Sequence, residues 1–164
     1  MPGRQFTTAK TIAAEHEIVG RVREGRSQVE PVLSRFQAIS VADQHQHLNR
    51  TQRNVVEDVL SSPDRIQGIQ GFAGSGKTTT LSVIRSAAES QGFQVEGFAP
   101  TSRAARQLGD AGVDAGTLQG FLTRSIAPAL AEPKHFYLVN ESSPASTNRC
   151  ASFFPVLLLR TESC

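Results

Sequence analysis

The apolar residues of this chain fall into short clusters whose spacing changes along the sequence. Residues 7–22 and residues 48–60 carry them at three- to four-residue intervals, so both segments are predicted to be helices. Asn49 is a candidate N-cap for the second helix, and Pro63 enforces its end. Residues 26–47 show no clear period and are interpreted as a mixed linker. The N-terminal part is therefore predicted to be a helical lead-in.

From residue 66 onward, short apolar runs alternate with segments of helical spacing. The predicted strands cover residues 66–69, 94–98 and 136–139, and the predicted helices cover residues 77–91, 101–109 and 117–122. Glycines or prolines follow most of these segments, as expected where an element ends. Strands that alternate with helices favour an α/β fold, with a parallel sheet of three or four strands and helices on both faces.

The loop between the first predicted strand and its helix carries the most specific motif. Residues 71–78 read Gly-Phe-Ala-Gly-Ser-Gly-Lys-Thr, which matches the phosphate-loop pattern Gly-x-x-x-x-Gly-Lys-Ser/Thr. Its glycines allow backbone N–H groups to approach a triphosphate, and the following helix directs its positive dipole end at the same anion. The predicted nucleotide-binding residues here are Gly71, Gly74, Ser75, Gly76, Lys77, Thr78 and Thr79.

Two side chains of this motif have definite chemical roles. Lys77 is predicted to reach the β and γ phosphates, and the Thr78 hydroxyl is predicted to bind Mg²⁺. A flexible glycine turn is the structural alternative. A Rossmann dinucleotide site is disfavoured, because the three glycines do not fall in its Gly-x-Gly-x-x-Gly register.

Composition limits the class of protein. With 164 residues, 38% of them apolar, the chain has room for one domain, or for one domain and a helical lead-in. No apolar run reaches membrane-crossing length and no signal peptide is evident, so we expect a cytoplasmic protein. Cys150 and Cys164 offer neither a disulfide framework nor metal-ligand spacing, and His45 and His47 lack acidic or thiol partners. The net charge of +2 leaves any nucleic-acid contact to locally placed arginines.

Polar residues follow two of the later predicted strands. Thr101 and Ser102, with Arg103 in the next helix, could meet a nucleic-acid backbone, although a solvated helix face is the alternative. The last predicted strand ends in Asn140 and Glu141. In a phosphate-loop ATPase an aspartate at this place holds the Mg²⁺ shell and the next acid activates water. Glu141 fits the second role, whereas Asn140 is neutral.

The order of these motifs resembles RecD-like superfamily 1 DNA helicases, most of all the helicase part of conjugative relaxases. Residues 48–52 (Leu-Asn-x-x-Gln) are similar to the adenine-recognising motif, residues 99–105 to motif Ia, and residues 116–122 to the following DNA-side motif. The resemblance implies a RecA-like domain from a helicase that couples Mg-ATP hydrolysis to 5′ to 3′ movement on single-stranded DNA. Other conjugation proteins are further expected partners.

The resemblance also assigns roles to individual residues. Gln52 would read adenine, Lys77 and Glu141 would be catalytic, and Thr78 and Asn140 would hold the metal. The implied DNA contacts are Thr101, Ser102, Arg103, Thr117 and Gln119.

Two departures from the family lead to an alternative. The family has aspartate in place of Asn140, and the similarity stops near Thr147, before the motif III strand and the second RecA-like domain. We therefore divide the chain into a lead-in (1–47), an incomplete ATP-binding domain (48–147) and a tail (148–164). Turnover in the isolated chain is expected to be weak, and the alternative function is a catalytically inactive nucleotide- or DNA-binding module.

The tail prompts a separate hypothesis. Back-translated in another frame, residues 149–164 can encode a sequence similar to the family's continuation into motif III, so we interpret the visible tail as a frameshift product. Without that strand the sheet would have a gap between the phosphate-loop strand and the strand before Asn140, unless residues 156–159 fill it.

Overall fold

The computed structural model describes residues 9–69, 75–123, 134–140 and 156–161. The described helices are α1 (Ala9–Glu24), α2 (Arg35–Gln44), α3 (Arg50–Ser61), α4 (Lys77–Ser90), α5 (Ser102–Gly109) and α6 (Leu118–Thr123). The described strands are β1 (Ile66–Ile69), β2 (Gln94–Ala99), β3 (Asp114–Thr117), β4 (His135–Asn140) and β5 (Val156–Thr161).

The five described strands form one sheet in the order β1-β5-β4-β2-β3. Strand β2 is parallel to both β4 and β3, whereas β5 is antiparallel to both of its neighbours. Strands β1, β4, β2 and β3 consequently all run in one direction, and their carboxyl ends share one edge of the sheet. This arrangement confirms the predicted α/β class with a parallel core.

Strand β5 fills the place between β1 and β4, as the sequence suggested for residues 156–159. Its backbone register aligns Val156 with Ile69 on one side and with Asn140 on the other. The expectation of a parallel sheet does not extend to this strand. Because the chain leaves β4 and enters β5 at the same edge, the returning strand must run antiparallel, whereas a parallel strand needs a crossover to the opposite edge.

The lead-in shares the hydrophobic core of the sheet domain. Residues 35–44, which showed no apolar period, form α2, whose Ser34 cap and Gln37 make a capping box. Ala38 and Ala42 of this helix are fully buried in the same core cluster as the residues of α3 and α4. By contrast, Ile18 of α1 is 55% exposed, so the apolar stripe of that helix does not join the core.

The described helices pack on both faces of the sheet. Phe136 and Leu138 of β4 are fully buried on the face that α3, α4 and α5 cover. Phe121 of α6 lies on the opposite face, where its ring contacts Phe98 of β2 and Tyr137 of β4 at centroid distances of 4.4 and 5.8 Å. Layers on both sides leave the carboxyl edge of the strands accessible, and this edge carries the candidate site.

Candidate nucleotide-binding site

The head of α4 stands at the carboxyl edge of the sheet, after the end of β1. Gly76 is its N-cap and has left-handed backbone angles (φ 74°, ψ 28°) that favour glycine. Glycine has no side chain to cap the helix, and the backbone N–H groups of the first turn have no acceptor within the helix. Such a turn is suited to bind an anion. Gly71 and Gly74, the other glycines of the motif, lie outside the described residues.

Lys77 is the first residue of α4 and is partly buried. Burial lowers the pKa of its ammonium group from the ordinary lysine value, because desolvation disfavours the charged form. A bound phosphate would favour the charged form again. Thr78 and Thr79 follow as exposed residues, while the Thr80 hydroxyl donates to the Gly76 carbonyl at 3.2 Å.

The affinity of the site for a triphosphate is expected to fall at alkaline pH. The fall should begin below the ordinary lysine pKa of about 10.4, because burial has lowered the pKa of Lys77. As the pH rises through that pKa, the ammonium loses its proton, and affinity drops by up to about tenfold per pH unit until the higher pKa of the bound form is reached. Lys77→Arg retains its charge, so its titration should stay flat over the same range. Identical pH profiles for both proteins would contradict this assignment.

Gln52 connects α3 to the end of the phosphate loop. Its Nε2 donates to the carbonyl oxygens of Ser75 and Gly76 at 3.1 and 3.3 Å. Its Oε1 accepts the backbone N–H of Asn49 at 2.8 Å, and Asn49 Oδ1 accepts the backbone N–H of Gln52 at 2.9 Å. The sequence predicted Asn49 as the N-cap, which is confirmed. It did not predict the contact with the loop, which is far away along the chain.

Asn140 lies at the same edge of the sheet. It is the last residue of β4, is 8% exposed, and its Oδ1 has no hydrogen-bond partner within the described part of the chain. The register Ile69–Val156–Asn140 places it two strand spacings, about 10 Å between Cα atoms, from the end of β1. The predicted base Glu141 lies outside the described residues.

The oxygen atoms at this edge are chemically compatible with magnesium. The Thr78 hydroxyl and Asn140 Oδ1 are hard oxygen donors of the kind that Mg²⁺ binds. Both are neutral, however, whereas Mg²⁺ sites generally include at least one carboxylate. Thr78 and Asn140 therefore offer Mg²⁺ the right kind of donor atom, but not the negative charge that its protein ligands usually carry. Over the described ranges, no three His, Cys, Asp or Glu side chains form another metal-binding group.

The predicted DNA-side residues cluster further along the same edge. Thr101 caps α5 by accepting the Ala104 N–H at 3.2 Å, and Thr117 caps α6 by accepting the Gly120 N–H at 3.1 Å. Both helices were predicted, over residues 101–109 and 117–122, and the parallel register of Ala99 with Thr117 brings their starts together.

The other DNA-side candidates lie around these caps. Ser102, Arg103 and Gln119 are exposed. A groove of about 580 Å³ runs between α5 and β3, with Ser102, Arg106 and Thr117 among its lining residues. Ser102 and Thr117 of the DNA-side candidates thus line one accessible groove, while the hydroxyls of Thr101 and Thr117 are already engaged as helix caps.

Comparison with known proteins identifies the class. Residues 47–160 match the family model described as AAA domain, so the chain belongs to this family of phosphate-loop proteins. The match continues past residue 147, and the boundaries drawn from the motifs stay predictions. No solved structure matches the chain significantly.

Several similar proteins act in conjugation. The chain is 36% identical over 113 residues to the multifunctional conjugation protein TraI of Escherichia coli K12 and 32% identical over 111 residues to the conjugal transfer protein TraA of Rhizobium radiobacter. A probable conjugal transfer protein TraA of Sinorhizobium fredii is 28% identical over 156 residues. These matches cover 66%, 66% and 91% of the chain, but only 6%, 10% and 14% of the respective relatives. These matches support the resemblance to the helicase part of conjugative relaxases that the order of motifs indicated.

The described helices include none that is both long and apolar enough to cross a membrane.

Proposed function

We propose that this domain binds Mg-ATP at the head of α4 and that, in its parent protein, ATP hydrolysis drives 5′ to 3′ movement along single-stranded DNA. The observation that carries the proposal is a shared edge of the sheet. Gly76, with its left-handed backbone, and Lys77 at the start of α4 lie at the same edge as Asn140 at the end of β4. This is the arrangement that a triphosphate and its cation require.

The nucleotide would be held by three kinds of group. The first-turn N–H groups of α4 bind phosphate oxygens, and the Lys77 ammonium neutralises the β and γ phosphates. Thr78 and Asn140 are the residues that would hold Mg²⁺. When bound, this ion supplies positive charge to the γ-phosphate as the terminal bond breaks. Glu141 accepts a proton from the attacking water.

The DNA would lie across the carboxyl edge beyond the nucleotide. Arg103 and the exposed polar residues Ser102 and Gln119 offer contacts to phosphates and sugars, which fix position without reading sequence. Thr101 and Thr117 contribute through the helix starts that they cap. Because the relatives are named as conjugation proteins, we propose single-stranded DNA as the substrate and other conjugation proteins, in the cytoplasm, as partners.

ATP turnover and single-stranded DNA binding together test this function. We expect the chain to bind a single-stranded oligonucleotide, and we expect that DNA to raise its weak ATP turnover. Arg103→Ala should weaken DNA binding several-fold, roughly the effect of one phosphate contact. The matched control is Arg23→Ala, an exposed arginine in the last turn of α1, which should change neither quantity. Equal losses in both variants would contradict the proposed DNA surface.

One observation favours a second function, a binding module without hydrolysis. The buried Asn140 carboxamide cannot supply the negative charge that normally anchors the cation. Nucleotide binding with no turnover, and with no response to single-stranded DNA, would support the module over the motor.

A further inference from the structure

The contacts of Gln52 differ from its expected role. The family resemblance assigns it to the adenine base, yet both ends of its amide contact protein backbone. Accepting from Asn49 N–H and donating to two carbonyls fixes the orientation of the amide, because each partner can act only as donor or only as acceptor.

We propose that Gln52 is a positioning residue for the phosphate loop, setting affinity for the triphosphate whatever base it carries. The inference rests on the proposed nucleotide-binding function. Its basis is that one side chain ties the start of α3 to the last two residues before Lys77.

The inventory of hydrogen bonds supports this role. The two Nε2 hydrogens of a glutamine amide match the two carbonyl acceptors, Ser75 O at 3.1 Å and Gly76 O at 3.3 Å. Recognition of adenine through both N6 and N7 needs one amide donor for N7. That donor becomes available only if Gln52 releases the loop.

Steric contact at Gly76 strengthens the argument. A Cβ atom at this position would overlap the Gln52 amide, and the left-handed backbone already disfavours other residues. Gln52 and Gly76 thus fit against each other closely, and the amide occupies the space that a side chain at position 76 would need. Holding Gly76 left-handed aims the first-turn N–H groups of α4 at the phosphates in advance, which lowers the ordering cost on binding.

The test compares three ligands: ATP, GTP and inorganic triphosphate, each bound to the purified full chain in a calorimeter. Gln52→Ala is expected to weaken all three by the same factor, about tenfold, which is the scale of one or two hydrogen bonds. Gln52→Met, which keeps the side-chain length and removes both polar ends, should reproduce that common factor if the alanine variant folds poorly.

Gln37→Ala is the matched control, because α2 has the same capping box, in which the Gln37 side chain bonds to Ser34 and not to Ser75 or Gly76. Gln37 Oε1 accepts the Ser34 N–H at 3.0 Å, so its removal weakens a helix start to a comparable degree. Affinity for all three ligands should stay unchanged in this variant, although its melting temperature falls.

Two outcomes would overturn the positioning role. One is a loss confined to ATP, with triphosphate binding intact, which would assign Gln52 to the base. The other is an equal loss of triphosphate affinity in Gln37→Ala, which would indicate general loosening of the helices. If the unaltered chain bound none of the three ligands, the proposed function itself would be refuted.

Discussion

Lys77→Ala is expected to lower the affinity for Mg-ATP about 100-fold. The variant removes the one charged side chain at the head of α4, and charge-assisted contacts to phosphate contribute about 1.5–3 kcal/mol each. The stability of the empty protein should barely change, since burial already disfavours the charged ammonium and lowers its pKa. Calorimetric titration measures the affinity, and thermal melting of the empty protein measures stability.

The control for this variant is Lys134→Ala. Lys134 is exposed just before β4, at the amino edge of the sheet, with its ammonium 5.6 Å from the centre of the Phe93 ring. Removing it deletes the same charge at the far end of the strands, so ATP affinity should be unaltered. If Lys77→Ala also left ATP affinity unaltered, the phosphate site at α4 would be disproved.

Asn140→Asp is expected to make nucleotide binding strongly dependent on magnesium. A carboxylate in place of the carboxamide gives the cation a charged ligand, which should raise ATP affinity in Mg²⁺ about tenfold and increase turnover. In a chelator the same charge faces the phosphates directly, so affinity should fall below that of the unaltered chain. The ratio of affinities with Mg²⁺ and with chelator is therefore the decisive quantity.

The empty Asn140→Asp protein should also be less stable. Asn140 is 8% exposed, and an unpaired ionised carboxylate there costs several kcal/mol or takes up a proton. Mg-ATP should restore the melting temperature. Asn54→Asp supplies the control, since it makes the same charge change on an exposed residue of α3. An unchanged Mg²⁺-to-chelator ratio in Asn140→Asp would remove Asn140 from the cation site.

The helix starts were the most predictable part of the fold. Asn49, Thr101 and Thr117 each precede an apolar cluster, and each accepts a hydrogen bond from the backbone N–H three residues on. Capping is a local interaction, so the sequence signal and the structural cause lie within the same few residues. Gly76 at the head of α4 was predictable for a similarly local reason, because its left-handed backbone favours glycine.

Strand β3 and helix α2 were not predicted from the sequence, because both are stabilised by the elements they pack against. Strand β3, with the sequence Asp-Ala-Gly-Thr, has almost no apolar pattern and becomes a strand by pairing with β2. Helix α2 buries only the small residues Ala38 and Ala42, too weak a signal to give a period. In both cases the partner supplies the ordering free energy, which no local pattern records.

The candidate site likewise has features that the sequence determined and features that only the tertiary structure decided. Residue types at fixed spacing determined the phosphate loop, the membership of Lys77 and Thr78 in it, and the neutral residue at position 140, because this chemistry depends on which atoms a residue carries. Only the tertiary structure decided that β5 enters antiparallel between β1 and β4, and that Gln52 contacts the end of the loop. Both depend on chain segments that are distant in sequence and meet only when the sheet and α3 pack together.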